Sequence, residues 1–152
     1  ANILNDRLKS FLPPKGRCFV SQRNNITIID DTYNANLASS IAALDYLNAF
    51  SNEGRKIFVF GDMLELGDES EKQHAQIGKK CSSLKIDLVY TIGNQTTFTD
   101  ENIKNEIIHQ HFQSKDLLID TLKKMIKKGD KILFKGSRSM HMEKIIEGVF
   151  GY

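Results

Sequence analysis

Short, almost continuously apolar runs recur along this chain with helical patterns between them, and that alternation restricts it to an α/β fold built on a largely parallel sheet. Ile26-Thr27-Ile28-Ile29, Ile57-Phe58-Val59-Phe60, Leu88-Val89-Tyr90-Thr91-Ile92 and Lys131-Ile132-Leu133-Phe134 are rich in β-branched or aromatic residues. They lack the polar alternation of a strand with one wet face, so they read as strands covered on both sides. Ile107 to Phe112 alternates more and reads as an edge strand. Arg17 to Gln22 reads as a further strand that turns through Arg23-Asn24-Asn25 into Ile26, which adds one antiparallel edge. Apolar stripes at helical spacing predict four helices, through Ile41, Leu44 and Leu47; Ile77, Cys81 and Leu84; Leu118, Leu122 and Met125; and Met142, Ile145, Ile146 and Val149. Asn36 and Ser114 stand where helix caps belong, and Ser70 to Gln73 has capping-box spacing. The expected architecture is a three-layer domain, a mostly parallel sheet of about six strands with helices on both faces.

At 152 residues such a domain buries roughly 70% of its unfolded surface and needs neither disulfide nor structural metal. Cys18 and Cys81 are isolated, with no C-x-x-C pairing, and read as reduced buried thiols. Twenty-one Lys and Arg against nineteen Asp and Glu leave a net charge of +2, too balanced to recruit nucleic acid or an anionic membrane by charge alone. No apolar stretch approaches the roughly 20 residues of a membrane span. The first residues carry neither a signal peptide's basic start nor an initiator methionine, so the chain reads as a cytoplasmic fragment of something larger. Pro13-Pro14-Lys15-Gly16 breaks the chain, which predicts a linker or the tail of a preceding domain over residues 1–15 and the folded domain over 16–152.

In an open parallel sheet, ligands bind beyond the carboxyl ends of the strands, where backbone amides and helix N-termini converge. The segments there are Asp30 to Asn36, Gly61 to Gly67, Gly93-Asn94 and Lys135 to Ser139, two of them long and rich in donors and carboxylates. Taken singly, each is ambiguous. Asp30-Asp31 can bind a cation or ribose hydroxyls, or simply end a strand. Lys135-Gly136-Ser137-Arg138 can present amides, a hydroxyl and two cations to a carboxylate or phosphate, or form a glycine turn with solvated charges. Neither G-x-G-x-x-G nor G-x-x-x-x-G-K-[ST] occurs, so the domain does not cradle a triphosphate by itself. His74, on the stripe of Ile77 and Cys81, fits a satisfied core or rim histidine as well as a ligand contact. His109 and His111 face one side of a strand, as metal ligands do, but no third ligand is evident, and no metal site is expected. The acidic run from Glu65 to Glu71 reads as a solvated loop that favours a helix N-terminus.

Together these loops resemble one family, the Mur ligases, ATP-dependent amide-bond ligases of cell-wall precursor synthesis. The matching segments are Pro13-Pro14-Lys15-Gly16-Arg17; Asp30-Asp31-Thr32-Tyr33-Asn34-Ala35-Asn36 with Ser39 and Ala42-Ala43-Leu44; Gly61-Asp62-Met63-Leu64-Glu65-Leu66-Gly67 with Ser70 and His74; and Lys135-Gly136-Ser137-Arg138 with Met142-Glu143. The third and fourth resemble the members that add D-alanyl-D-alanine to UDP-N-acetylmuramoyl-tripeptide. Leu37 departs from the pattern, since the family usually has proline there. The resemblance covers the family's C-terminal domain and implies a Rossmann-like fold that closes over a central ATPase domain, with an N-terminal domain holding the UDP-sugar peptide. The phosphate loop and Mg2+ ligands would lie in the central domain, and no catalytic residue in this chain. By the same resemblance Arg17, Asp31, Tyr33, Asn34 and Asn36 would serve ATP, while Asp62, Met63, Glu65, Leu66, His74, Lys135, Gly136, Ser137 and Arg138 would serve the substrate. The resemblance implies a cytoplasmic monomer that binds no nucleic acid and does not enter the membrane.

Two other readings remain open on the residues alone. Asp30-Asp31, Asp62, Thr91 and Lys135 fall in the order of a phospho-acceptor receiver domain, although Lys135 is followed by Gly136-Ser137 rather than proline and the Met63 to Gly67 loop has no purpose there. A non-catalytic nucleotide- or peptide-binding module is the third.

Overall fold

A computed structural model describes residues 16–151 and joins six strands into one sheet. In chain order the elements are β1 (Phe19–Arg23), β2 (Ile26–Asp31), α1 (Leu37–Ala49), β3 (Lys56–Gly61), α2 (Ser70–Ser83), β4 (Leu88–Ile92), α3 (Thr97–Asp100), β5 (Ile108–Phe112), α4 (Lys115–Met125), β6 (Lys131–Lys135) and α5 (Glu143–Phe150). Single 3-10 turns at Gly67–Glu69 and Arg138–Met140 precede α2 and α5. The expected linker over residues 1–15, with its Pro13-Pro14 break, lies outside the described residues.

The hairpin from β1 to β2 forms as expected. Asn24 and Asn25 take φ values of 53° and 62°, the left-handed pair of a tight two-residue turn, which asparagine tolerates better than most side chains. Antiparallel pairing runs from Phe19 opposite Asp30 to Arg23 opposite Ile26. All other strand pairs are parallel, in the order β1-β2-β6-β3-β4-β5. Strand alternation then sorts the apolar runs onto two faces. Ile28, Ile57, Val59, Ile132 and Phe134 pack with Leu118 and Leu122 of α4 and Ile145 and Ile146 of α5. Ile29, Phe58, Phe60, Val89 and Leu133 pack with Leu44 and Leu47 of α1 and Ile77 and Cys81 of α2. Each such side chain contributes about 1.5–3 kcal/mol, which is why the middles of the four central strands are mainly apolar while charged residues stand at the ends of β2, β3 and β6.

β6 is inserted between β2 and β3. The chain leaves β2 towards α1 on one face and leaves β6 towards α5 on the other, so the ends of neighbouring strands open a crevice between diverging loops. Three local expectations change. α3, only Thr97–Asp100, has no apolar stripe and was not among the four predicted helices. Ser70 does not cap α2: a 3-10 turn runs straight into the helix, and the Ser70 hydroxyl donates to Gln95 Oε1 at 2.6 Å. β2 and β6 each extend to the charged residue at their end, Asp31 and Lys135. Asn36 and Ser114 cap as expected, and Cys18 and Cys81 are both free thiols.

Candidate functional site

Asp31 and Lys135 are register partners at the ends of β2 and β6, and their side chains meet. Lys135 Nζ donates to Asp31 Oδ2 at 2.7 Å and to the Asn34 carbonyl at 3.1 Å, while Asp31 Oδ1 accepts the Cys18 amide at 3.0 Å. The lysine side chain is 2% exposed and the aspartate 15%, so the pair is a buried strut for the 32–36 loop. Burial, followed by the charge of Asp31, pushes the neighbouring Cys18 thiol up to about 11. Asp30 faces the other way and takes the Thr32 hydroxyl at 2.6 Å. Beyond the strut the Tyr33 ring stands 44% exposed, with the Arg17 guanidinium 3.9 Å from its centroid and that of Arg138 5.7 Å away. Asn36 caps α1 through a reciprocal pair of hydrogen bonds with Ser39.

The loop after β3 is held from beneath. The Asp62 carboxylate accepts three successive amides, from Asn94, Gln95 and Thr96, at 2.9–3.0 Å. Gly93 makes that approach possible: its φ is +119°, and a Cβ there would lie 2.4 Å from Asp62 Oδ1. The Met63 amide donates to His74 Nε2 at 2.9 Å, and His74 Nδ1 donates to the Ser70 carbonyl at 2.8 Å, which fixes the tautomer. Burial lowers the pKa of this fully enclosed imidazole, with the Ser70 carbonyl and Asp62 opposing. Leu64 donates its amide to Ser137 Oγ at 2.8 Å, and the Ser137 amide donates to the Asp62 carbonyl at 2.9 Å. The β3 and β6 loops therefore move as one piece. Gly136 makes room for Met142, whose Cγ would be 2.7 Å from an added Cβ.

Between these loops lies an open cleft of about 560 Å³ lined by Asn34, Ala35, Asn36, Leu64, Glu65, Ser137, Arg138, Ser139 and His141. Of the residues expected to touch ligand, Asn34, Asn36, Glu65, Ser137 and Arg138 come together here, and Arg17 and Tyr33 stack beside Arg138. The others do not. Asp62, Met63, His74, Lys135 and Gly136 are buried and act through the loops they hold, and Leu66 packs against the core beneath α1 and α2. Asp31 holds the Cys18 amide on one oxygen and Lys135 on the other, which ties it to the base of the loop rather than to the cleft lining. Ala35, Leu64, Ser139 and His141 line the cleft as well, although the sequence did not mark them as contacts. His141 has a left-handed φ of 51°, which no sequence pattern announced.

His109 and His111 are drawn into separate hydrogen bonds, to Asp100 and Thr91, each at 2.7 Å. Among the described residues no group of three or more His, Cys, Asp or Glu is arranged to hold a metal ion. The receiver-domain reading fails on Asp62, whose carboxylate is filled by three amides and 4% exposed.

Comparison with known proteins agrees with this geometry. Residues 16–138 match the family described as Mur ligase, glutamate ligase domain. The chain is 38% identical over 128 residues to UDP-N-acetylmuramoyl-tripeptide–D-alanyl-D-alanine ligase of Bacillus subtilis (strain 168), covering 82% of this chain and 28% of that protein. It is 37% identical over 137 residues to the enzyme of the same name from Escherichia coli (strain K12), with 88% and 29% covered. The fold superposes on the crystal structure of MurF ligase from Thermotoga maritima in complex with ADP with a TM-score of 0.79 at 29% identity, over 91% of this chain and 31% of that one. The chain thus spans less than a third of the length of these relatives.

Proposed function

This chain belongs to the Mur ligase family, as its C-terminal, glutamate ligase domain, and from that premise we propose that it serves a MurF-type ligase joining D-alanyl-D-alanine to UDP-N-acetylmuramoyl-tripeptide at the expense of ATP. In that reaction the tripeptide carboxylate takes the terminal phosphoryl group, ADP leaves, and the dipeptide amine attacks the acyl phosphate to release phosphate. The reading assigns residues 16–152 to this domain and 1–15 to the connection with a central domain. Mg2+ would travel with ATP and be held there, since among the described residues of this domain no group of three or more His, Cys, Asp or Glu is arranged to hold a metal ion. The setting would be the cytoplasm, where ATP and a UDP-sugar coexist, with the enzyme a monomer. No helix among the described residues is long and apolar enough to cross a membrane.

The observation that carries the proposal is the cleft lined by Arg138 and Ser137, with the Tyr33 ring, stacked by Arg17, 5.7 Å from the Arg138 guanidinium. A guanidinium offers a carboxylate two parallel donors, and the Ser137 hydroxyl accepts from Leu64 while keeping its own proton to donate. Arg17 and the Tyr33 face suit a phosphate and a planar base. Domain closure over the cleft would exclude water from the acyl phosphate. Steady-state kinetics on the full-length ligase carrying this domain, varying each substrate in turn, tests the reading. Losing one charge-assisted contact costs about 1.5–3 kcal/mol, so Arg138→Ala should weaken use of D-alanyl-D-alanine roughly 10- to 150-fold with the KM for ATP unchanged. Arg17→Ala should do the reverse. An equal loss with both substrates after Arg138→Ala would instead mean that this arginine pairs with a carboxylate of the central domain.

A further inference from the structure

Glu65 occupies a conformation that its own backbone resists. Its φ is +63°, a left-handed geometry that glycine adopts at lower cost, yet the chain keeps a glutamate there. Nothing in the surrounding fold accounts for the carboxylate: among the described residues it has no hydrogen-bond or ion-pair partner, and the side chain is exposed on the cleft wall. The turn that presents it is rigid. The two preceding amides, of Met63 and Leu64, are pinned by His74 and by Ser137, and the following Glu69 amide closes on the Leu66 carbonyl at 3.1 Å. A side chain held in a costly conformation on a fixed turn, without a structural partner, has the properties of a preorganised ligand contact.

The charges around the cleft select the ligand group. Arg138 supplies the cationic side, its guanidinium 3.7 Å from Glu143. Glu65 is the carboxylate that the β3 loop adds to the same cleft. A phosphate or a second carboxylate would be repelled from that wall, whereas an ammonium group would be held by a charge-assisted hydrogen bond. A zwitterion with its carboxylate on Arg138 leaves its amine to be received elsewhere in the same cleft.

We propose that Glu65 binds the amino end of the incoming dipeptide in its ammonium form, so that Glu65 and Arg138 read both termini of D-alanyl-D-alanine and place the nitrogen before it gives up a proton and attacks. The inference rests on the dipeptide reading above.

In the full-length ligase, Glu65→Gln keeps the size and removes the charge, and should raise the KM for D-alanyl-D-alanine about tenfold or more while leaving that for ATP unchanged. N-propionyl-D-alanine, the same dipeptide without its amine, should inhibit competitively with a Ki that the substitution does not alter. Glu65→Gly should lose dipeptide use in the same way without lowering Tm, because it removes the carboxylate and relieves the backbone together. If the KM for the dipeptide does not move, or if the Ki of the desamino analogue rises in parallel with it, Glu65 does not read the amine. A rise confined to ATP would assign the carboxylate to the nucleotide and overturn the proposal too. Arg138→Ala is the control that separates the two levels. Should it impair dipeptide use while Glu65→Gln does not, only this inference falls; should neither do so, the dipeptide reading falls with it.

Discussion

His74 illustrates how a single residue can be indispensable to a site that it does not line. Its Nε2 accepts the Met63 amide and its Nδ1 proton goes to the Ser70 carbonyl, so adding a second proton would set a cationic donor against an N–H inside the core. Burial accordingly lowers its pKa from the ordinary 6.5. In the unfolded chain the imidazole takes up a proton as pH falls through 6.5, whereas in the folded chain it does so only at a lower pH. Over that window the unfolded state binds more protons, and stability falls with falling pH, by at most about 1.4 kcal/mol per pH unit for one proton. Urea unfolding between pH 7.5 and 5 should show this slope in the native protein and lose one proton's share of it in His74→Gln, with His109, His111 and His141 common to both. Parallel slopes would mean that His74 is protonated in the fold. The sequence put His74 on the right stripe but left its role open, because a core histidine and a ligand-contacting one share the same helical position. What decides between them is a hydrogen bond to a loop eleven residues away.

Helix α1 carries at each end a device of a different kind, one readable and one not. At its start, Asn36 caps the helix as its residue type suggested, and Ser39 returns a hydrogen bond to the Asn36 amide. Leu37 follows at the first helical position, where the family pattern has proline. Asn36 has φ −139° and ψ 177°, the extended conformation required before a proline, and the amide at the first position is free of the helix ladder in any case. Leu37→Pro should therefore stabilise the domain by about 0.4–1 kcal/mol through a less flexible unfolded chain, a rise in Tm of about 1–4 °C. A fall in Tm would show that the half-buried leucine side chain matters more than the backbone restriction. At its other end α1 has no basic residue in its last turn. Two sheet lysines take that place. Lys56 Nζ donates to the Asn48 carbonyl at 2.8 Å and to Asn52 Oδ1 at 2.9 Å, and its neighbour Lys131 donates to the Ser51 carbonyl at 3.0 Å and to that of Glu53. Cations at the negative end of a helix dipole are favourable, although burial, and then Lys131, lower the Lys56 pKa. Lys131 read from the sequence only as the head of a strand, since its partner Ser51 lies 80 residues away.

At the scale of the molecule, that separation between local pattern and distant partner explains what the sequence could tell. Fold class was legible because strands buried on two faces and helices buried on one have different periodicities. The insertion of β6 between β2 and β3 was not, since no local pattern encodes strand order. The carboxyl-end rule located the loops, but the division between residues that line the cleft and residues that hold it rests on long-range bonds, Lys135 to Asp31 across 104 positions and Leu64 to Ser137 across 73. The same division predicts what the chain does alone. Its cleft is open, and the converging amides of Asn94 to Thr96 are already filled by Asp62. A nucleotide meeting Arg17 and the Tyr33 face would leave its triphosphate in water. The isolated 152-residue chain should therefore bind ATP more weakly than about 10 μM, corresponding to about 7 kcal/mol. It should also release no phosphate on addition of D-alanyl-D-alanine, because nothing covers the reacting group against water. Calorimetric titration and a phosphate-release assay check the two halves separately. Tighter ATP binding would move the phosphate cradle into this domain, and dipeptide-dependent turnover would mean that the chemistry does not need a second domain to close upon it.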